Sequence, residues 1–137
     1  MHNPSKKILI ADDDPVIIEL LQVNLEMEGY DVLRAADGQQ AVEAATADLP
    51  DLVLLDIMMP RMDGWAAQAE LARNPATAGI PVIFLSARAQ QADLKKGYES
   101  GVVEYVTKPF DPVALLSIIE QVLAGTYVRS DDSGAHE

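Results

Sequence analysis

Short, continuously apolar runs alternate along the chain with longer stretches whose apolar residues recur at helical spacing. The runs are "KILIA" from Lys7, "DVLRA" from Asp31, "DLVLLD" from Asp51, "IPVIFLS" from Ile80 and "VVEYVT" from Val102. Most are β-branched or leucine-rich without polar alternation, which is the pattern of strands covered on both faces. In the first intervening stretch Asp14 can cap a helix that Pro15 opens; Ile17, Leu21 and Leu25 then recur every four residues until Gly29 ends it. The last stretch repeats that grammar, with Asp111 as cap, Pro112 next, and Leu115, Leu116, Ile119, Val122 and Leu123 on one face. A second helix is predicted after Gly38, a third after Asp63 and a fourth from about Gln90 to Ser100. Strand and helix thus alternate five times. That order predicts an α/β domain, doubly wound, with a parallel sheet, helices on both faces and right-handed crossovers.

Composition agrees and narrows the class. A chain of 137 residues, 49% apolar and 23% charged, is enough for one well-filled core. Without cysteine it has neither disulfides nor thiolate metal ligands. The start "MHNPSKK" lacks the apolar stretch of a secretory signal, and no apolar run reaches membrane-spanning length, so a cytoplasmic protein without membrane attachment is expected. A net charge of −12, with Lys95–Lys96 the only adjacent basic pair outside the N-terminal arm, argues against direct nucleic-acid binding. Residues 6–124 are expected to form the domain. Residues 125–137 read as a polar C-terminal tail or the start of a linker.

In an open parallel sheet the working site lies outside the C-terminal ends of the strands. Strand one ends in Asp12, Asp13 and Asp14, strand three in Asp56, strand four in Ser86 and strand five in Lys108. Adjacent carboxylates repel one another and raise the cost of ionisation unless something positive sits among them. A sparse set of oxygen donors suits a hard cation, and Mg²⁺ in particular, which keeps several waters and accepts a phosphate oxygen. Singly, each residue has an ordinary explanation: a helix cap, a turn, a surface hydroxyl, a surface lysine. Their coincidence at the strand ends is what points to a site.

From about Lys6 to Ala124 the chain resembles a response-regulator receiver domain of two-component signalling. The resemblance rests on the paired acids after strand one, "DIMMPRMDG", the Ser-Ala after strand four and "KPF" after strand five, in that order. It implies a flavodoxin-like sheet in the order 2-1-3-4-5, as in the chemotaxis regulator of that family. Asp56 is then the nucleophile that takes a phosphoryl group from a sensor histidine kinase or histidine phosphotransfer protein. By the same resemblance, Mg²⁺ is held by Asp13, Asp56 and the carbonyl of Met58, with Asp12 acting mainly through a metal-bound water. Lys108 pairs with Asp56 and then with the phosphoryl oxygens, and Ser86 hydrogen-bonds another of them. Asp14 remains a helix cap. On phosphorylation Ser86 is drawn in and Tyr105 turns inward, switching the face of helix four, strand five and helix five for a downstream effector. The resemblance also implies a cis peptide between Lys108 and Pro109.

Some positions depart from the family pattern. Val102 and Val103 replace the usual small-then-polar pair, so strand five is expected to start earlier or to bury more. Serine stands at position 86 where many members have threonine. Met58 and Arg88 occupy positions that tune acyl-phosphate lifetime, and Met58 cannot orient an attacking water, so slow self-dephosphorylation is expected. Trp65, Met58, Met59 and Met62 are read as packing or partner-face residues. A Mg²⁺-dependent phosphatase with an aspartate nucleophile is the enzyme alternative; it would need an acid where Met58 stands. A flavodoxin is disfavoured because three aspartates after strand one repel the phosphate of FMN. A receiver-like scaffold that works without phosphorylation is the third alternative. The sequence leaves a homodimer through helix four, strand five and helix five open.

Overall fold

Each helix begins where the sequence places a capping aspartate or its equivalent. In the computed structural model, which describes residues 5–129, Asp14 Oδ1 accepts from the Val16 N–H at 2.9 Å and starts α1 (Pro15–Met27). Asp37 caps α2 (Gly38–Asp48), Asp63 caps α3 (Gly64–Arg73), and Asp111 caps α5 (Pro112–Ala124) in the same way. In α4 (Gln91–Glu99) a reciprocal box between Gln90 and Asp93 takes that role.

The strands are β1 (Lys7–Ala11), β2 (Asp31–Ala35), β3 (Leu52–Leu55), β4 (Val82–Ser86) and β5 (Glu104–Thr107). All four pairings are parallel and the order is β2-β1-β3-β4-β5. Alternation along the central strands splits the interior into two layers. Leu9, Val53, Leu55, Val82 and Phe84 face a core completed by Ala41 and Ala45 of α2, Ala67 and Leu71 of α3 and Leu94 of α4. Ile8, Ile10, Leu52, Leu54, Ile83 and Leu85 face the other, completed by Ile18, Leu21 and Leu25 of α1 and Leu115 and Ile119 of α5.

Two expectations change in detail. The buried line of α1 runs through Ile18, Leu21 and Leu25, with Ile17 at its margin, because α1 packs beside α5 as well as on the sheet. β5 starts at Glu104, after the two valines; Val102 is fully buried and Val103 half-buried, so the apolar pair adds burial rather than strand length. The Val103 N–H still donates to the Val82 carbonyl at 2.8 Å, feeding the chain into the ladder. Of the expected tail, residues 125–129 are described and residues 130–137 lie outside the described residues, as does the stretch 1–4. Among the described residues no helix is long and apolar enough to cross a membrane.

Candidate functional site

Ladder hydrogen bonds that run past the strand ends fix the acidic residues in place. The Asp12 N–H donates to the Ala35 carbonyl (3.1 Å), Asp56 N–H to Ala11 (2.9 Å) and Lys108 N–H to Ser86 (2.8 Å). The loop after β3 is pinned underneath by Gly64, whose N–H donates to the Ile57 carbonyl (2.8 Å). A Cβ at Gly64 would lie 2.3 Å from the Asp56 carbonyl oxygen, so this close approach requires glycine.

Carboxylate oxygens of Asp12, Asp13 and Asp56 lie within 4.8 Å of one another. Asp12 and Asp56 are buried and Asp13 is exposed, so the cluster opens to solvent on one side. The Lys108 ammonium reaches into it, 2.7 Å from Asp12 Oδ2 and 3.4 Å from Asp56 Oδ2. The expected Lys108–Asp56 pairing is therefore present, but the shorter contact is to Asp12. Asp12 also accepts the Asp14 N–H (2.9 Å), so both its oxygens are engaged, whereas Asp13 has no such partner among its described contacts. The Lys108–Pro109 peptide is cis, as the family pattern implies.

The charges do not balance. Three carboxylates face one ammonium, and burial followed by the charge of Asp12 pushes Asp56 up to about 6, against the opposing pull of Lys108. Burial also works against the Lys108 ammonium, but the hydrogen bond and charge of Asp12, with those of Asp56, hold it above the usual lysine value. Oxygen-only donors with an uncompensated negative charge fit a hard divalent ion and offer nothing to a soft one.

Around this cluster Asp13, Met58, Asp63, Trp65 and Arg88 line a groove of about 560 Å³. Arg88 is held over the groove by Asp93 of α4 (Nη2 to Oδ1, 3.0 Å), and its Nη1 sits 3.9 Å from Met58 Sδ. Ser86 is fully buried; its Oγ accepts the Arg88 N–H at 3.2 Å. Tyr105 is also buried, with its hydroxyl donating to the Arg88 carbonyl (2.6 Å), so the ring lies inward. Burial raises its phenol, and the neighbouring Ser86 hydroxyl opposes that rise.

Three features escape the sequence reading. Trp65 lines the groove as well as packing edge-on to Phe84 (5.1 Å, 76°). Asp93, on a polar helix with no motif, fixes Arg88. Arg61, at φ +66°, bonds the buried Asp37 at 2.6 Å and so ties the loop after β3 to the start of α2. The Gln40 N–H and then Arg61 hold the Asp37 carboxyl below its usual range. The stretch "DIMMPRMDG" marked that loop in the sequence, but nothing in it pointed from Arg61 to Asp37.

Comparison with known proteins agrees with this arrangement. The family described as response regulator receiver domain matches residues 8–120. The DNA-binding dual master transcriptional regulator RpaA of Synechocystis sp. is 44% identical over 120 residues, 88% of this chain and 50% of that protein. Protein PilH of Pseudomonas aeruginosa is 40% identical over 119 residues, 87% of this chain and 98% of that protein. The receiver domain of sensor histidine kinase PA1611 from the same species, solved with a magnesium ion coordinated in its active-site cleft, superposes with a TM-score of 0.81 at 31% identity, covering 88% of this chain and 99% of that one. The chain spans about half the length of the curated transcriptional regulators it matches. On the match over residues 8–120 and the identity to these relatives, the chain belongs to the response regulator receiver domains of two-component signalling.

Proposed function

We propose that this domain, taken as residues 6–124, accepts a phosphoryl group on Asp56 from a histidine kinase or phosphotransfer protein and thereby changes the face it offers to an effector. One observation carries the reading: the Asp12, Asp13 and Asp56 carboxylates gather within 4.8 Å beside the Lys108 ammonium. An Asp56 oxygen attacks phosphorus, the P–N bond to the donor imidazole breaks, and its electron pair leaves with the imidazole. Asp13, Asp56 and the Met58 carbonyl would hold Mg²⁺, with Asp12 acting through a bound water, and the ion would neutralise phosphoryl charge. Lys108 and Ser86 take phosphoryl oxygens, and Tyr105 reports the state of Ser86 to α4, β5 and α5. Turnover is limited to the domain's own phosphorylation and slow hydrolysis, and a cytoplasmic location belongs to the same reading.

The approach of the donor also has support. Val16, Leu20, Val23 and Met27 form an exposed apolar stripe along α1, starting two residues after the acidic turn. A helical donor protein laid along that stripe brings its phosphohistidine to Asp56.

Incubation with Mg²⁺ and acetyl phosphate should add one phosphoryl group by intact mass to the native protein and none to Asp56→Ala. Because Met58 offers an attacking water no hydrogen-bonding group, the adduct should outlast seconds; decay within seconds would count against the role given to Met58. Addition of Mg²⁺ alone should change the emission of Trp65, the single tryptophan, which shares the groove with Asp13. Asp13→Ala should weaken that response at least tenfold. A response untouched by Asp13→Ala would place the ion elsewhere.

A further inference from the structure

The segment that leaves α5 does not run out into solvent. Gly125, at φ +78°, closes the helix in the left-handed region, and the Thr126 N–H donates back to the Gln121 carbonyl at 2.9 Å. The chain then returns across the edge of the sheet. The Tyr127 hydroxyl donates to one oxygen of Glu104. The Arg129 guanidinium lies 4.3 Å over the Tyr98 ring and donates from Nη1 to the Val102 carbonyl at 3.4 Å.

Glu104 is the junction. It opens β5, is 5% exposed, and accepts on its second oxygen from the Tyr98 hydroxyl of α4 and from the Tyr105 N–H (3.0 Å). A carboxylate buried this deeply needs such donors. One side chain therefore gathers α4, β5 and the segment after α5. Tyr127 and Arg129 also line, with Val102, Val103 and Val122, a cavity of about 560 Å³. Thr126 and Val128 of this segment stay exposed, and the segment borders that open cavity, an arrangement that opens locally at lower cost than a dense core.

Tyr105 follows Glu104 directly, and its hydroxyl is anchored on the carbonyl of Arg88, which lines the groove of the phosphoacceptor site. We propose that the seating of residues 126–129 on the edge formed by Tyr98, Val102 and Glu104 favours the inward state of Tyr105. Docking and occupation of Asp56 then strengthen each other, because a coupling between two sites acts equally in both directions. This rests on the reading of Asp56 as phosphoacceptor and Tyr105 as its reporter.

The test uses the full chain, with Tyr127→Phe, which removes the donor to Glu104 and keeps the ring, and Arg129→Ala as an independent variant. The probe is beryllofluoride with Mg²⁺, a phosphoryl mimic, titrated by Trp65 emission, with hydrogen exchange read over residues 126–129. Both variants should bind the probe about fivefold or more weakly, and the probe should slow exchange of residues 126–129 in the native protein. Faster exchange in both variants with unchanged probe affinity would overturn the coupling while leaving the phosphoacceptor reading intact. Failure of the native protein both to bind the probe and to take a phosphoryl group from acetyl phosphate would overturn that reading, and the coupling with it.

Discussion

Asp56→Asn should raise the thermal stability of the metal-free protein at pH 7 while abolishing phosphorylation. The native carboxyl, pushed up to about 6 by burial and by Asp12, binds its proton more tightly folded than unfolded, where about 3.9 is usual. For such a group stability is greatest below the unfolded value, falls as pH rises from about 4 to about 6, and stays lower above that. Asparagine cannot ionise and so lacks the penalty. A two-unit shift sets an upper bound of about 3 kcal/mol, and partial solvation through the open side of the cluster reduces it to about 1–2 kcal/mol. The expected gain in Tm is roughly 3–10 °C. The gap should close near pH 4, and it should narrow at pH 7 as Mg²⁺ is added, since the cation stabilises the native protein by binding it. A Tm for Asp56→Asn below that of the native protein at pH 7 without metal would refute the account of the charge imbalance.

Phe84→Ala should cost about 3–5 kcal/mol, a large share of the roughly 5–15 kcal/mol by which domains of this size are stable. Phe84 is fully buried in the middle of β4, edge-on to Trp65 at 5.1 Å and to Tyr105 at 5.9 Å. Removing the ring leaves a void and strips both aromatic neighbours of a partner. The effect would appear as a lower urea midpoint with an unchanged slope. Phe84→Leu, which refills most of the volume, should cost about 1–2 kcal/mol. A loss under 1 kcal/mol for Phe84→Ala would mean that the layer between β4 and α3 collapses around the gap.

The order of elements was legible because buried parallel strands are apolar without interruption and their helices carry aspartate caps. The rule that places a site at the carboxyl ends then gathered Asp12, Asp13, Asp56, Ser86 and Lys108 from distant parts of the chain. What could not be read were preferences among neighbours. Lys108 lies nearer Asp12 than Asp56, a matter of how far a lysine side chain reaches from the end of β5 past β4 and β3 to β1. The inward Tyr105 depends on the backbone carbonyl of Arg88, and the Asp37–Arg61 pair on one left-handed residue. Glu104 was only a break in an apolar run, since the tyrosines that satisfy it come from α4 and from beyond α5. Local pattern carries no trace of contacts closed by residues so far apart.

The division of the interior into two layers bears on how the chain is made. Leu115 and Ile119 complete the layer that Ile18, Leu21 and Leu25 begin, so α1, made first within this domain, waits for α5. Until α5 emerges, Ile8, Ile10, Leu54 and Leu85 have only α1 to cover them on that side, while α2, α3 and α4 can already fill the other. Nascent chains halted before Pro112 should be cut readily by protease and held by chaperones, and resistance should appear abruptly once Ala124 is clear of the exit tunnel.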